Sequence, residues 1–221
     1  MILLTADLHI KLGQKNVPKD WQYNRFMLLA DKINELSKEN GVTEIILAGD
    51  ILDVAKPSLE EVGLMYDFLS KIEYPMKLIA GNHEMLNKST DCFPVIKQML
   101  KDLNIEYYDK FVTVDGVDYI PYNVLKDKSW PETNSKVAVT HVRGEIPPHV
   151  EPEIPLERFD RYEKVFAGDL HSYKNSQRNI YYPGSPMVTS FHREPTQGSN
   201  GIFIIDQKTF EHKWIELGMP Q

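Results

Sequence analysis

Cysteine is nearly absent from this chain. Cys92 is the only one in 221 residues, so no disulfide can close within it, and a reducing compartment fits. No apolar stretch approaches the roughly 18 residues of a membrane span, and no basic segment with a cleavage site opens the sequence. The chain therefore reads as a soluble, cytoplasmic protein. Positive charge is also in short supply: 25 Lys and Arg stand against 32 Asp and Glu, a formal net charge of −7, which argues against a broad basic surface for nucleic acid. A local basic groove is compatible with that balance, and carboxylates gathered around metal ions would themselves inflate the negative count. No internal repeat or low-complexity block is present.

What is present is a series of short apolar runs, with 42% hydrophobic residues to build a core. Met1 to Ala6 reads as a buried strand, and Asp7-Leu8-His9 follows; an extended backbone there would project Asp7 and His9 to one side. Trp21 to Asn40 has helical spacing in Phe26, Leu29, Ile33 and Leu36, with a stop at Asn40-Gly41. Glu44 to Ala48 is a second strand, closed by Gly49-Asp50-Ile51-Leu52-Asp53. Ser58-Leu59-Glu60-Glu61 is a capping-box pattern opening a helix to Ile72. Met76 to Ala80 is a third strand and runs into Gly81-Asn82-His83-Glu84. The order β-α-β-α-β implies a parallel sheet with its functional groups at the carboxyl ends of the strands.

The second half has a different texture. Ser89 to Leu103 reads as one helix, Phe111–Val114 and Val117–Pro121 as a hairpin about Asp115-Gly116, and Ile146 to Pro155 as a proline-rich surface loop or short linker. Strands are expected at Lys136–Thr140, Glu163–Ala167, Asn179–Tyr182, Gly201–Asp206 and Thr209–Glu216. The expected whole is one domain with two packed sheets and helices outside.

Five separate strand ends carry Asp7 and His9, Asp50 and Asp53, Asn82 and His83, His141, and Asp169 and His171. Each has an ordinary reading taken singly: a capped turn, a helix N-cap, a solvated histidine. Five such coincidences at five strand ends do not. Aspartate, asparagine and histidine are oxygen and nitrogen ligands suited to manganese, iron, zinc or magnesium. Asp7, His9, Asp50, Asn82, His141, Asp169 and His171 are too many for one ion and enough for two. Two ions about 3.5–4 Å apart can activate water and clamp the oxygens of an in-line phosphoryl displacement.

The series Asp7-x-His9, Gly49-Asp50-x-x-Asp53, Gly81-Asn82-His83-Glu84, His141 and Gly168-x-x-His171 resembles the calcineurin-like metallophosphoesterases. Tyr182-Pro183-Gly184-Ser185-Pro186, Thr189-Ser190-Phe191 and the strand from Gly201 extend the likeness to SbcD-type DNA repair nucleases, in a short, phage-like form. The resemblance implies a four-layer α-β-β-α sandwich. It also implies a metal-dependent exo- or endonuclease acting on DNA in repair or recombination, with two divalent ions, manganese foremost, and an SbcC-type SMC-like ATPase partner. By the same resemblance Asp7, His9, Asp50 and His171 hold the first ion, and Asp50, Asn82, His141 and Asp169 the second, with Asp50 bridging. His83 is then the non-ligand general acid, with Asp53 orienting it from one turn away.

Two departures accompany the likeness. The family usually has His where this chain has Asp169, which favours harder ions. The chain also reads as a single domain over residues 1–221, without the capping and ATPase-binding extensions of SbcD-type nucleases. A helical face bearing Met27, Leu28 and Met65 is a candidate for homodimer formation. Lys11, Lys15, Lys19, Arg143, Arg178, His192 and Arg193 are candidates for phosphate contacts at the rim, with Ser185 from the SbcD-like segment as a further substrate contact. The competing functions are a small-molecule or cyclic-nucleotide phosphodiesterase and a non-catalytic scaffold for the ATPase.

Overall fold

The computed structural model describes residues 1–189 and 200–220. The elements run β1 (Ile2–Thr5), α1 (Lys19–Glu39), β2 (Glu44–Ala48), α2 (Leu59–Lys71), β3 (Met76–Ile79), α3 (Lys97–Asp102), β4 (Ile105–Tyr108), β5 (Val112–Val114) and β6 (Val117–Ile120). There follow α4 (Tyr122–Leu125), β7 (Val137–His141), β8 (Lys164–Gly168), β9 (Ile180–Tyr181), β10 (Gly201–Ile205) and β11 (His212–Glu216).

They form two sheets, ordered β11-β10-β1-β2-β3-β4 and β5-β6-β7-β8-β9. β1 to β4 are mutually parallel, as are β6 to β9, while β10, β11 and β5 are antiparallel additions at the edges. Alternation along the strands splits the core. Leu3, Ile45, Leu47 and Leu78 point outward to Phe26, Leu29, Ile33 and Phe68 of α1 and α2. Their neighbours Ile2, Leu4, Ile46 and Ile79, with Phe203 of β10, point inward to Val137, Val139 and Phe166 of the second sheet, filling the space between the sheets. The outer face of the second sheet is covered by α4, the 3-10 turn Leu156–Phe159 and Trp130, over whose ring Arg158 lies at 3.9 Å. The result is an α-β-β-α sandwich with one thick and one thin outer layer.

Ser58 caps α2 reciprocally: its Oγ accepts from Glu61 N at 3.2 Å and its own N donates to Glu61 Oε2 at 2.8 Å. Such a cap is worth about 1 kcal/mol. The helix expected over 89–103 is shorter, a 3-10 turn Phe93–Ile96 leading into α3. Asp91 is the cause: its carboxylate accepts from Phe93 N at 2.9 Å and from Tyr107 OH at 2.5 Å, so the chain before 93 is tied to β4 instead of coiling. β4 itself, which the residue pattern did not suggest, extends the first sheet beside β3. Met65 is wholly buried against α1, so it cannot belong to an exposed self-association face, whereas Leu28 is exposed. No helix among the described residues is long and apolar enough to cross a membrane.

Candidate metal centre

All five motif segments lie at the carboxyl ends of the parallel strands of both sheets, so the sandwich brings them to one edge. The loops after β1 and β2 are laced together by Asp7 N to Gly49 O at 3.1 Å, His9 N to Asp50 O at 2.9 Å, Ile10 N to Ile51 O at 2.8 Å and Asp53 N to Ile10 O at 3.2 Å. Asp7 and His9 are not extended. They take positive φ values of 56° and 48°, and Asp50 and Asp169 take 53° and 101°. Each such non-glycine residue costs on the order of 1–3 kcal/mol, which the surrounding bonds offset.

Glu84 supplies much of that restraint. Fully buried, its carboxylate accepts from Gly81 N at 2.7 Å, Asp50 N at 3.0 Å and Leu52 N at 2.8 Å, so it fastens the loop after β3 to the loop after β2. Burial pushes its carboxyl up to about 8. The residue pattern includes Glu84 in its motif but assigns it no role; an acid placed directly after the histidine of a buried loop was the available signal. Two glycines are required by close approach. A Cβ on Gly49, which sits at φ 89°, would strike His141 Nδ1, and one on Gly81 would strike the Asp50 carboxylate and backbone nitrogen.

Among the described residues the donors converge as three overlapping groups, one of them His9, Asp53 and His83. Asp7, His9 and His171 present ligand atoms within 4.8 Å of one another, and so do Asp7, Asp50 and His141. Asp50 Oδ2 is central, 3.6 Å from His9 Nε2 and 3.4 Å from His141 Nε2. His9 Nε2 and His171 Nε2 face each other at 3.0 Å. His141 is fixed from behind, its Nδ1 2.9 Å from Ala48 O, while its Nε2 meets Asn82 Oδ1 at 2.9 Å and lies 4.0 Å from Asp169 Oδ1. Asp169 N donates to both oxygens of Asp7, at 3.0 and 3.2 Å.

This is a concentration of buried carboxylates. Burial raises the Asp7 carboxyl to about 8, against the pull of His141. Burial would raise Asp50 as well, but the charge and hydrogen bond of His141, with His9 and His83, hold it below the usual carboxylate range. His141 is driven the other way: burial disfavours its cation, and Asp50, Asp7 and Asp169 together raise it well above an ordinary histidine. His171 is pushed down to about 4 by burial and by His9, an effect moderated where the residue opens to solvent. A set of carboxylate and amide oxygens and imidazole nitrogens, with acid in excess and no thiolate, fits divalent cations.

His83 borders these donors, its Nε2 4.0 Å from Asp50 Oδ2 and its ring centred 4.6 Å from that of His9. Its side chain is 39% exposed, its backbone N donates to Asp50 Oδ1 at 3.0 Å, and its Nδ1 lies 2.6 Å from the main-chain oxygen of Asp53. The orienting contact expected from the Asp53 carboxylate is thus made by the Asp53 carbonyl. The carboxylate faces His9 Nδ1 at 3.2 Å and Lys11 Nζ at 3.0 Å instead. Burial would raise it, but those two partners bring it down to about 2. The reason for the exchange is backbone: Leu52 bridges to Ile10, so the segment after Asp50 runs beside the first loop and forms no helical turn.

The expected substrate contacts divide. Arg143 reaches the site, but its fork is on Asp169, Nε to Oδ2 at 3.2 Å and Nη2 to Oδ1 at 3.3 Å. Lys11 is at the rim, tied to Asp53. Ser185 is buried, with its hydroxyl 2.7 Å from Asp7 O and its N donating to His171 O at 3.3 Å, so it braces two loops and is not offered to a substrate. Lys15 is exposed. Lys19 pairs with Glu60, and Arg178 binds Glu157 and Asp160, all at exposed positions. His192 and Arg193 lie outside the described residues.

The two-sheet fold and this edge of donors define a metal-dependent phosphoesterase, and the chain belongs to the calcineurin-like phosphoesterases, whose family pattern it matches over residues 1–173. It is 46% identical to the "Probable exonuclease subunit 1" of Escherichia phage T5, over the whole of this chain and 70% of that protein. It is 24% identical to the D component of the SbcCD nuclease of Staphylococcus saprophyticus, over 98% of this chain and 68% of that one. The "Exonuclease subunit 1" of Enterobacteria phage T4 is 25% identical over 82% of this chain and 58% of its own length. In fold alone, the solved structure of the protein TT1561 of Thermus thermophilus is similar, with a TM-score of 0.55 at 10% identity over 98% of both chains.

Proposed function

We propose that this chain is a metal-dependent DNA nuclease that hydrolyses phosphodiester bonds at a dinuclear centre, acting in recombination or repair beside an SbcC-type ATPase subunit. The carrying observation is the convergence of oxygen and nitrogen donors around Asp50, together with 46% identity along the full chain to a phage protein named as an exonuclease subunit. Asp7, His9, Asp50 and His171 hold one cation, and Asp50, Asn82, His141 and Asp169 the other. Manganese is the preferred ion and magnesium the next, because three carboxylates and an amide oxygen stand beside three imidazoles and no thiolate is among them. Residues 1–221 act as one catalytic domain.

Bound cations supply a hydroxide from water and charge stabilisation for the phosphoryl oxygens. The protein's own residues do the rest. Asp50, whose Oδ2 lies 3.6 Å from His9 Nε2 and 3.4 Å from His141 Nε2, would be the donor common to both cations. The Asp53 carbonyl accepts a hydrogen bond from Nδ1–H of His83, and the half-exposed ring in its imidazolium form would pass its Nε2 proton to the leaving oxygen and remain as the neutral Nδ1–H tautomer. Lys11, braced by Asp53, contacts strand phosphates without reading bases. Labelled single- and double-stranded DNA, run beside bis-p-nitrophenyl phosphate with manganese, tests this reading. DNA cleavage lost in His83→Ala supports it. Turnover of the chromogenic ester alone would replace it with a small-molecule phosphodiesterase, and manganese binding without turnover of either would replace it with a scaffold.

A further inference from the structure

The two halves of the centre are charged differently, and Arg143 makes the difference. Asp7 and Asp50 face imidazoles and backbone amides. Among the described residues of the centre, Asp169 alone has a guanidinium across both its oxygens, at 3.2 and 3.3 Å. A guanidinium does not lose its proton under these conditions, and the fork geometry fixes a carboxylate in plane. The pair has little freedom to part. Asp169 is anchored by its own N on Asp7, and its side chain is only 5% exposed. The other acid near Arg143, Glu153, is occupied by the Tyr122 hydroxyl at 2.6 Å.

We propose that Arg143 is a positioning residue that cancels the charge of Asp169, so that the pair acts as a neutral donor and the second cation is held more weakly than the first. This rests on reading Asp50, Asn82, His141 and Asp169 as the second cation's donors. A fixed positive charge one carboxylate away from a divalent ion opposes its binding by plain Coulomb repulsion. Among the described residues the donors of the first position, Asp7, His9, Asp50 and His171, carry no such cation directly; Lys11 stands one group further out, on Asp53. One ion is then resident and the other exchangeable, which would let free manganese concentration regulate the centre.

The test is calorimetric titration of the metal-stripped full chain with manganese chloride, followed by electron paramagnetic resonance to detect spin-coupled pairs. The parent chain is expected to give a tight and a weaker event. Arg143→Gln is expected to tighten the weaker event at least tenfold and leave the tight one within threefold. Arg143→Lys, which keeps the charge without the fork, is expected to leave both within threefold of the parent. Should Arg143→Gln misfold, Asp169→Asn alone and combined with Arg143→Gln gives a second route: the double variant should bind the weaker ion at least tenfold better than Asp169→Asn. A weaker event unmoved or loosened by Arg143→Gln would overturn the inference. No saturable manganese binding by the parent chain would instead mean that the metal-centre reading itself has failed.

Discussion

Two regions of this molecule bury charge, and they do it in opposite ways. At the amino ends of the strands, Asp118 is fully buried, yet its carboxylate accepts from the hydroxyls of Thr113 at 2.7 Å, Thr133 at 2.5 Å and Tyr162 at 2.8 Å, with Arg161 at 3.4 Å. Nearby, buried Lys77 is paired with Glu44 at 2.8 Å and Asp115 at 3.0 Å. Each charge there is answered by local partners. At the carboxyl ends, Asp7, Asp50 and Asp169 crowd together on left-handed backbone; Arg143 answers Asp169, while Asp7 and Asp50 lean on imidazoles, His141 foremost. Buried charge that is saturated locally holds a fold together. Buried charge left in excess, and aimed at one space, is poised for a cation.

Substitutions at the two ends should separate these roles. The largest effect is expected from Asp50→Asn, which keeps shape and removes the shared charge: nuclease activity should fall by about three orders of magnitude or more, with loss of the manganese pair and an unchanged far-ultraviolet circular dichroism spectrum. Retained spin-coupled manganese in that variant would break the comparison. His83→Ala should cost roughly 10²–10⁴ in kcat while calorimetry still finds both ions, because the seven proposed donors all remain in that variant. Asp118→Ala should do the reverse. It strands three hydroxyls, while Arg161 keeps its bond to Pro131 O, so stability measured by urea unfolding should drop by about 2–4 kcal/mol, with manganese affinity of the folded protein unchanged. The mildest effect is that of pH. The raised proton affinities of Asp7, near 8, and of His141, above its ordinary 6.5, make protons competitors of the cation. Manganese affinity should therefore climb as pH rises toward 8 and fall on acidification; a flat calorimetric profile would count against these two groups as donors.

The five strand ends were legible because each joins a short apolar run to a polar loop, often through glycine, and that pattern needs no tertiary knowledge. So were the parallel half of the first sheet, the Ser58 cap and the Asp115-Gly116 hairpin. What stayed hidden depends on contacts between segments distant in sequence. The left-handed backbone at Asp7 and His9 is imposed by bonds to Gly49 and Asp50, from the loop after the neighbouring strand. The Glu84 clamp and the Arg143–Asp169 fork exist only once β2 lies beside β3 and β7 beside β8. Asp91 cannot be seen to shorten the helix after it until Tyr107 is placed in β4. Local spacing names candidate groups; register and layer packing decide which atom of each is offered.

Asp50, standing between two cation positions, is the pivot of the proposed chemistry. Crystals of the protein soaked in manganese chloride and measured at the manganese absorption edge address it directly. Two anomalous peaks about 3.5–4 Å apart, both touching the Asp50 carboxylate, are expected. A single peak, or peaks that leave Asp50 untouched, would contradict it.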